Sequence, residues 1–138
     1  MKLIQKSLLL TLCLTSSLVF ADVAVIVNTA NDSQISDDDI QRMFLGKNKS
    51  FSNGESVVAI NLDSGNEQRG EFEEKVLGKS SSQVKAYWSK LIFSGKAKPL
   101  EEVASDSEVI SLISSTPNAI GYIDASKVDS SVKVVKTF

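Results

Sequence analysis

Asp63-Ser64-Gly65-Asn66 lies between an apolar run, Val57-Val58-Ala59-Ile60, and a segment with helical spacing at Phe72, Val76 and Leu77. A turn between the carboxyl end of a strand and the start of a helix is where open α/β sheets place their ligands. The chemistry favours an anion: the unpaired N–H groups of Gly65, Asn66 and Glu67, the helix dipole and the Ser64 hydroxyl all offer positive charge or donors. Gly65 allows close approach to the backbone. Arg69, near the start of that helix, could reach back over the turn to a bound oxyanion. The candidate set is therefore Asp63, Ser64, Gly65, Asn66 and Arg69. The same residues have a plainer use. Ser64 or Asn66 caps the helix, Gly65 supplies a tight turn, and Arg69 pairs with Glu73 four residues on.

Most other chemistries are excluded by residue type. The chain of 138 residues has no histidine and one cysteine, Cys13, which rules out Ser-His-Asp and Cys-His catalysis, His-ligated metals and an internal disulfide. A formal charge of −2 leaves no electrostatic footprint for nucleic acid. Asp37-Asp38-Asp39 lacks the spaced ligands and glycine of a calcium loop and reads as charge at a helix start. Tyr87 and Trp88 could form a sugar-stacking platform, but Trp88 shares the apolar spacing of its helix and reads as core. No carboxylate pair stands out for glycoside hydrolysis. No enzyme, metal site or cofactor is expected. Lys47, Lys49, Lys96 and Lys98 fall in two loops that could border one rim.

The elements that position the turn follow from local pattern. Val23 to Val27 is a continuous β-branched run, the pattern of a strand covered on both faces as in a parallel sheet. Ser36 with Asp39 predicts a helix start, with Ile40, Met43 and Phe44 buried and Gly46 ending it. After the second strand and the helix bearing Phe72, Gly78 closes that helix and one of Ser80, Ser81 or Ser82 caps another. Its apolar stripe is Val84, Trp88, Leu91 and Ile92. Ser105 to Glu108 forms a full capping box before Val109, Leu112 and Ile113. Ala119 to Ile123 is a third strand, and Val132 to Val135 a fourth, nearer an edge because of Lys133 and Lys136. The order β-α-β-α-α-α-β-β predicts an α/β layer structure in one domain.

The first 21 residues read as a secretory signal: Lys2 and Lys6, then an apolar stretch from Leu8 to Phe20, then cleavage after Ala21. The apolar run is too short to span a bilayer, so no membrane insertion is expected once it is removed. Cleavage leaves a domain of residues 22–138, cysteine-free, with two lysines fewer and a formal charge of −4. A periplasmic location is expected.

Several segments together resemble the phosphate-binding substrate-binding proteins of ABC transporters, a branch of the type 2 periplasmic binding proteins. They are Ile40 to Lys47; Asp63 to Asn66 with Arg69 and Phe72; Val76-Leu77-Gly78; Trp88, Phe93-Ser94-Gly95-Lys96 and Pro99; and Thr116 to Ile123. They run in the family's order across about residues 23 to 124. The resemblance implies a three-layer α/β lobe, with helices on both faces of a small mixed sheet, and an oxyanion held at the helix start. In the family a Ser-Gly-Thr turn after an arginine-bearing strand end binds phosphate, and the matching positions are Ser64, Gly65 and Asn66. Asn66 replaces the threonine, and no arginine occurs from Val57 to Leu62. Loss of one such charge-assisted bond costs about 1.5–3 kcal/mol, roughly ten- to a hundredfold in affinity. Two-lobed members close on the ligand, and all matched segments belong to one lobe.

Two expectations follow. The first is a periplasmic binding protein for phosphate or a similar oxyanion, serving ABC-type uptake, with an ABC permease or a second copy of the chain as partner. The second is a ligand-free accessory protein that keeps the lobe and presents a protein-facing patch around Phe51, Phe93 and the Lys96 loop.

Overall fold

Three serines start three of the helices, each accepting a backbone N–H that the helix leaves without an internal partner. In the computed structural model, which describes residues 22–138, Ser36 caps α1 (Asp37–Phe44), Ser80 caps α3 (Ser81–Phe93) and Ser105 caps α4 (Asp106–Ser115). The expected signal segment, residues 1–21, and Cys13 within it lie outside the described residues. At Ser36 the box is reciprocal: Ser36 N–H and Oγ both donate to the Asp39 carboxylate, and these bonds hold its pKa below the ordinary value. Ser80 and Gln83 form the same box. The box predicted at Ser105 is only half formed. Ser105 Oγ accepts from Glu108 N–H, but the Glu108 carboxylate reaches one residue further back, to Ala104 N–H at 2.9 Å.

The strands are β1 (Val23–Asn28), β2 (Val58–Leu62), β3 (Glu101–Val103), β4 (Ala119–Asp124) and β5 (Val132–Thr137), and α2 (Glu67–Lys75) follows β2. They form one mixed sheet in the order β3-β2-β4-β1-β5. β1 is buried along its whole length, as its unbroken apolar run predicts. It is antiparallel to both neighbours, however, and not part of a parallel sheet. Burial of both faces creates an unbroken apolar strand whatever the direction of its partners. β2 is parallel to β4 and to β3. β3 has no counterpart in the sequence reading: Glu101-Glu102-Val103 carries no apolar alternation, and it is a strand because its main chain pairs Ile60, Asn61 and Leu62. β5 is an edge, as expected from its lysines.

Side chains of successive strand residues point to opposite faces, and β4 uses this to build three layers. Tyr122 meets Phe44 of α1 and Phe72 of α2, whereas Gly121 faces Val109 and Ile113 of α4. Helices thus cover both faces of the small mixed sheet. A Cβ on Gly121 would stand 2.8 Å from Val109 Cγ1 and 3.3 Å from Ile113. Both side chains are fully buried, and Val109 is stiff at χ1. Gly121→Ala is therefore expected to lower the unfolding free energy by about 1–3 kcal/mol through overpacking. Urea titration checks it; a midpoint equal to wild type would mean that α4 moves off β4 freely.

The apolar stripe predicted on α3 is only partly covered. Val84 is buried and Trp88 and Leu91 are half-buried, but Ile92 is 43% exposed and Phe93 96% exposed. Phe51, expected on the same protein-facing patch, is buried in the core at 3%. Tyr87 ties α3 to α1 by donating to the Leu45 carbonyl at 2.6 Å. Gly46 lets the neighbouring Trp88 ring pack against the end of α1: its φ is +69°, and a Cβ would lie 3.0 Å from that ring.

Candidate functional site

β2 delivers the turn at residues 63–66, and the end of β2 is fixed from three sides. Asp63 N–H donates to the Val103 carbonyl of β3 at 2.9 Å. β2 and β4 pair only at Val58–Ala119 and Ala59–Ile120. Further along, the Tyr122 hydroxyl takes over: it accepts from Leu62 N–H at 3.2 Å and donates to Asn61 Oδ1. Burial, the dominant influence, holds the Tyr122 pKa far above its ordinary value, so the hydroxyl stays protonated. The third tie is Arg69, whose guanidinium donates to the Leu62 carbonyl at 3.0 Å.

Within the turn the four residues divide in two. Asn66 is the helix cap: its Oδ1 accepts from Gln68 N–H at 2.8 Å, its Nδ2 donates to the Ala104 carbonyl at 3.4 Å, and its N–H donates to the Asp63 carbonyl. Ser64 and Gly65 are exposed, and neither the Ser64 hydroxyl nor their N–H groups have a partner among the described residues. Nothing lies within 4 Å of the position a Gly65 Cβ would occupy, so the backbone there is open to a ligand. Asp63 is exposed beside them.

Arg69 is not a free cation. It sits 2.8 Å from Glu102 and 3.7 Å from Glu73, with its side chain 13% exposed. The pairing predicted with Glu73 exists, but Glu73 is buried rather than superficial and accepts a further bond from Ser81 Oγ at 2.9 Å. Glu102 completes a cluster joining α2, α3 and β3. Two carboxylates on one guanidinium leave no surplus positive charge at this point. Beside the turn lies a recess of about 350 Å³ that brings Ser64 and Arg69 together with Ser81, Ser82 and Lys85. Sequence reasoning did not find Lys85, Ser81, Ser82 or Glu102. Positions 81, 82 and 85 share a helix face, but nothing local says that this face meets the turn. Among the described residues no cluster of three or more Asp, Glu, Cys or His is placed to hold a metal, and no helix is long and apolar enough to cross a membrane.

The fold recurs in solved structures. An ABC-type phosphate transport receptor from Vibrio cholerae superposes with a TM-score of 0.65 at 19% identity, over 84% of this chain and 46% of that one. A protein from Clostridium perfringens described as a phosphate ABC transporter substrate-binding protein, with bound phosphate, gives 0.66 at 22%, over 84% and 45%. The fold is that of a periplasmic binding-protein lobe. PstS from Borrelia burgdorferi matches in the same way, with a TM-score of 0.61 at 20% identity over 86% and 48%. The lobe spans about half the length of each of these chains. No family model and no curated protein matches the sequence. The first two of these neighbours are a transport receptor and a substrate-binding protein by description.

Proposed function

We propose that this lobe binds phosphate or a similar oxyanion at the turn of residues 63–66, outside the cytoplasm in the periplasm, as a solute-binding component of ABC-type uptake. The observation that carries the reading is the unpartnered donor set of Ser64 and Gly65 at the N-terminus of α2, open to solvent, in a fold shared with a structure that holds phosphate. Ser64 Oγ and the Ser64 and Gly65 N–H groups donate to the anion, and the helix dipole favours its charge. Asn66 shapes the turn by capping α2. Arg69 holds the turn from behind through the Leu62 carbonyl, while Lys85, which makes no ion pair among the described residues, is the second cation of a recess that Glu73 and Glu102 also line. Asp63 favours phosphate over sulfate, because a protonated phosphate can donate to a carboxylate and sulfate cannot. An ABC permease, or a second copy of the chain, covers the open side of the anion, where water would otherwise weaken every hydrogen bond.

Isothermal titration with phosphate and sulfate tests this. Phosphate is expected to give saturable heat, with Ser64→Ala weakening affinity by about tenfold, equivalent to about 1.4 kcal/mol. Absence of heat at millimolar phosphate, with Ser64→Ala behaving as wild type, would overturn it. The alternative is the ligand-free accessory protein, which the neutralisation of Arg69 by Glu73 and Glu102 favours.

A further inference from the structure

The two lysine loops meet at a place distant in sequence and separate from the Ser64 recess. A groove of about 600 Å³ has an apolar floor of Met43, Val57, Ala59, Trp88 and Leu100. Its rim carries Lys49, Lys96 and Lys98, all exposed. Lys47 instead lies over the Tyr87 ring at 5.8 Å. None of the ion pairs among the described residues uses Lys49, Lys96 or Lys98. Three ammonium groups without an ion pair stand around an apolar trough, and together they select an occupant that is acidic and apolar at once. The apolar surface does not stop at the groove. Trp88 and Leu100 also line the next recess with Ile92, 43% exposed, beside the polar Asn61, Arg69, Lys85, Ser89 and Glu102; Phe93, the next residue along the chain, is 96% exposed. A surface of that extent suits a polypeptide better than a small molecule.

We propose that this groove docks an acidic segment of another protein, with an apolar side chain on the Trp88–Leu100 floor and carboxylates on Lys49, Lys96 and Lys98. A second copy of the chain is a poor occupant. Its own acidic run is already engaged: Asp37 pairs with Lys136, Asp38 with Arg42, and Asp39 accepts from Ser36. The proposal is independent of anion binding at Ser64.

The probe is a fluorescein-labelled octapeptide of alternating glutamate and leucine, followed by anisotropy and by the emission of Trp88, the chain's single tryptophan. Saturable binding is expected, with a matching Trp88 shift and a decline as salt rises. The double variant Lys96→Glu with Lys98→Glu, both on an exposed loop, is expected to weaken it at least tenfold. So are a lysine-leucine peptide and a glutamate-serine peptide. Ser64→Ala, and phosphate added at constant ionic strength, leave it unchanged, which separates failure here from failure of the anion reading. Equal binding of the lysine-leucine peptide, or no saturation at millimolar peptide, overturns the proposal. A Trp88 shift produced by phosphatidylglycerol vesicles and not by the peptide would overturn it in favour of a membrane surface. A dimer in sedimentation that the double variant dissolves would overturn it in favour of a second copy.

Discussion

Arg69→Met lowers the unfolding free energy by about 3–5 kcal/mol, the expected cost of removing one partner of a buried ion pair. Glu73 would remain with its side chain 5% exposed and only the Ser81 hydroxyl as a donor. Glu102, 46% exposed, turns to water and contributes little to the loss. The Leu62 carbonyl loses its donor as well, and with it one of three ties on the end of β2. Urea unfolding of the single and double variants separates these contributions. Glu73→Gln in the Arg69→Met background is expected to recover on the order of 1 kcal/mol or more, because a neutral amide needs no counter-charge. A double variant no more stable than Arg69→Met would show that the lost bond to Leu62, not the orphaned carboxylate, sets the cost. The experiment bears on function too, since the cluster that neutralises Arg69 leaves Lys85 as the cation of the recess that makes no ion pair among the described residues.

The second large effect is expected at Phe72. Its ring stacks on Tyr122 with centroids 3.8 Å apart and planes 1° from parallel, and meets Phe44 edge-on at 4.7 Å. This aromatic cluster packs α1 and α2 onto β4 directly beneath the strand end that carries the turn. Phe72→Ala removes a ring that is 2% exposed and leaves a cavity among neighbours pinned by strand pairing, for a loss of about 3–5 kcal/mol. Phe72→Leu, which keeps most of the volume, is expected to cost on the order of 1–2 kcal/mol. The midpoint in urea falls while the slope stays constant, since unfolding exposes much the same surface in the variant as in wild type. A Phe72→Ala midpoint within 0.5 M of wild type, with an unchanged slope, would mean that the cluster collapses to fill the hole and does not hold the turn rigidly.

Legibility of the site follows the same division as legibility of the fold. A cap at Ser64 or Asn66, of which the structure uses Asn66, and the Arg69–Glu73 pair were readable because each involves residues two to four positions apart. Glu102 was not, because it lies 33 positions from Arg69 on a strand that has no apolar signature of its own. Trp88 was read as core from its spacing, yet the helix that carries it keeps Ile92 and Phe93 exposed. Periodicity reports which residues share a face, not how much of that face another element covers.

What the sequence determined by itself was local: helix starts at Ser36, at one of Ser80, Ser81 or Ser82, and at Ser105, the buried run of β1, and the donor-bearing turn after β2. Capping bonds and apolar periodicity operate within one or two turns of chain, so they are written into consecutive residues. The direction of β1's partners, the existence of β3, the neutralisation of Arg69 and the gathering of Lys49 with Lys96 and Lys98 were decided only by the tertiary structure. Each depends on groups brought together by burial of the common core, whose apolar area is non-directional and leaves no residue-by-residue record of which surfaces meet.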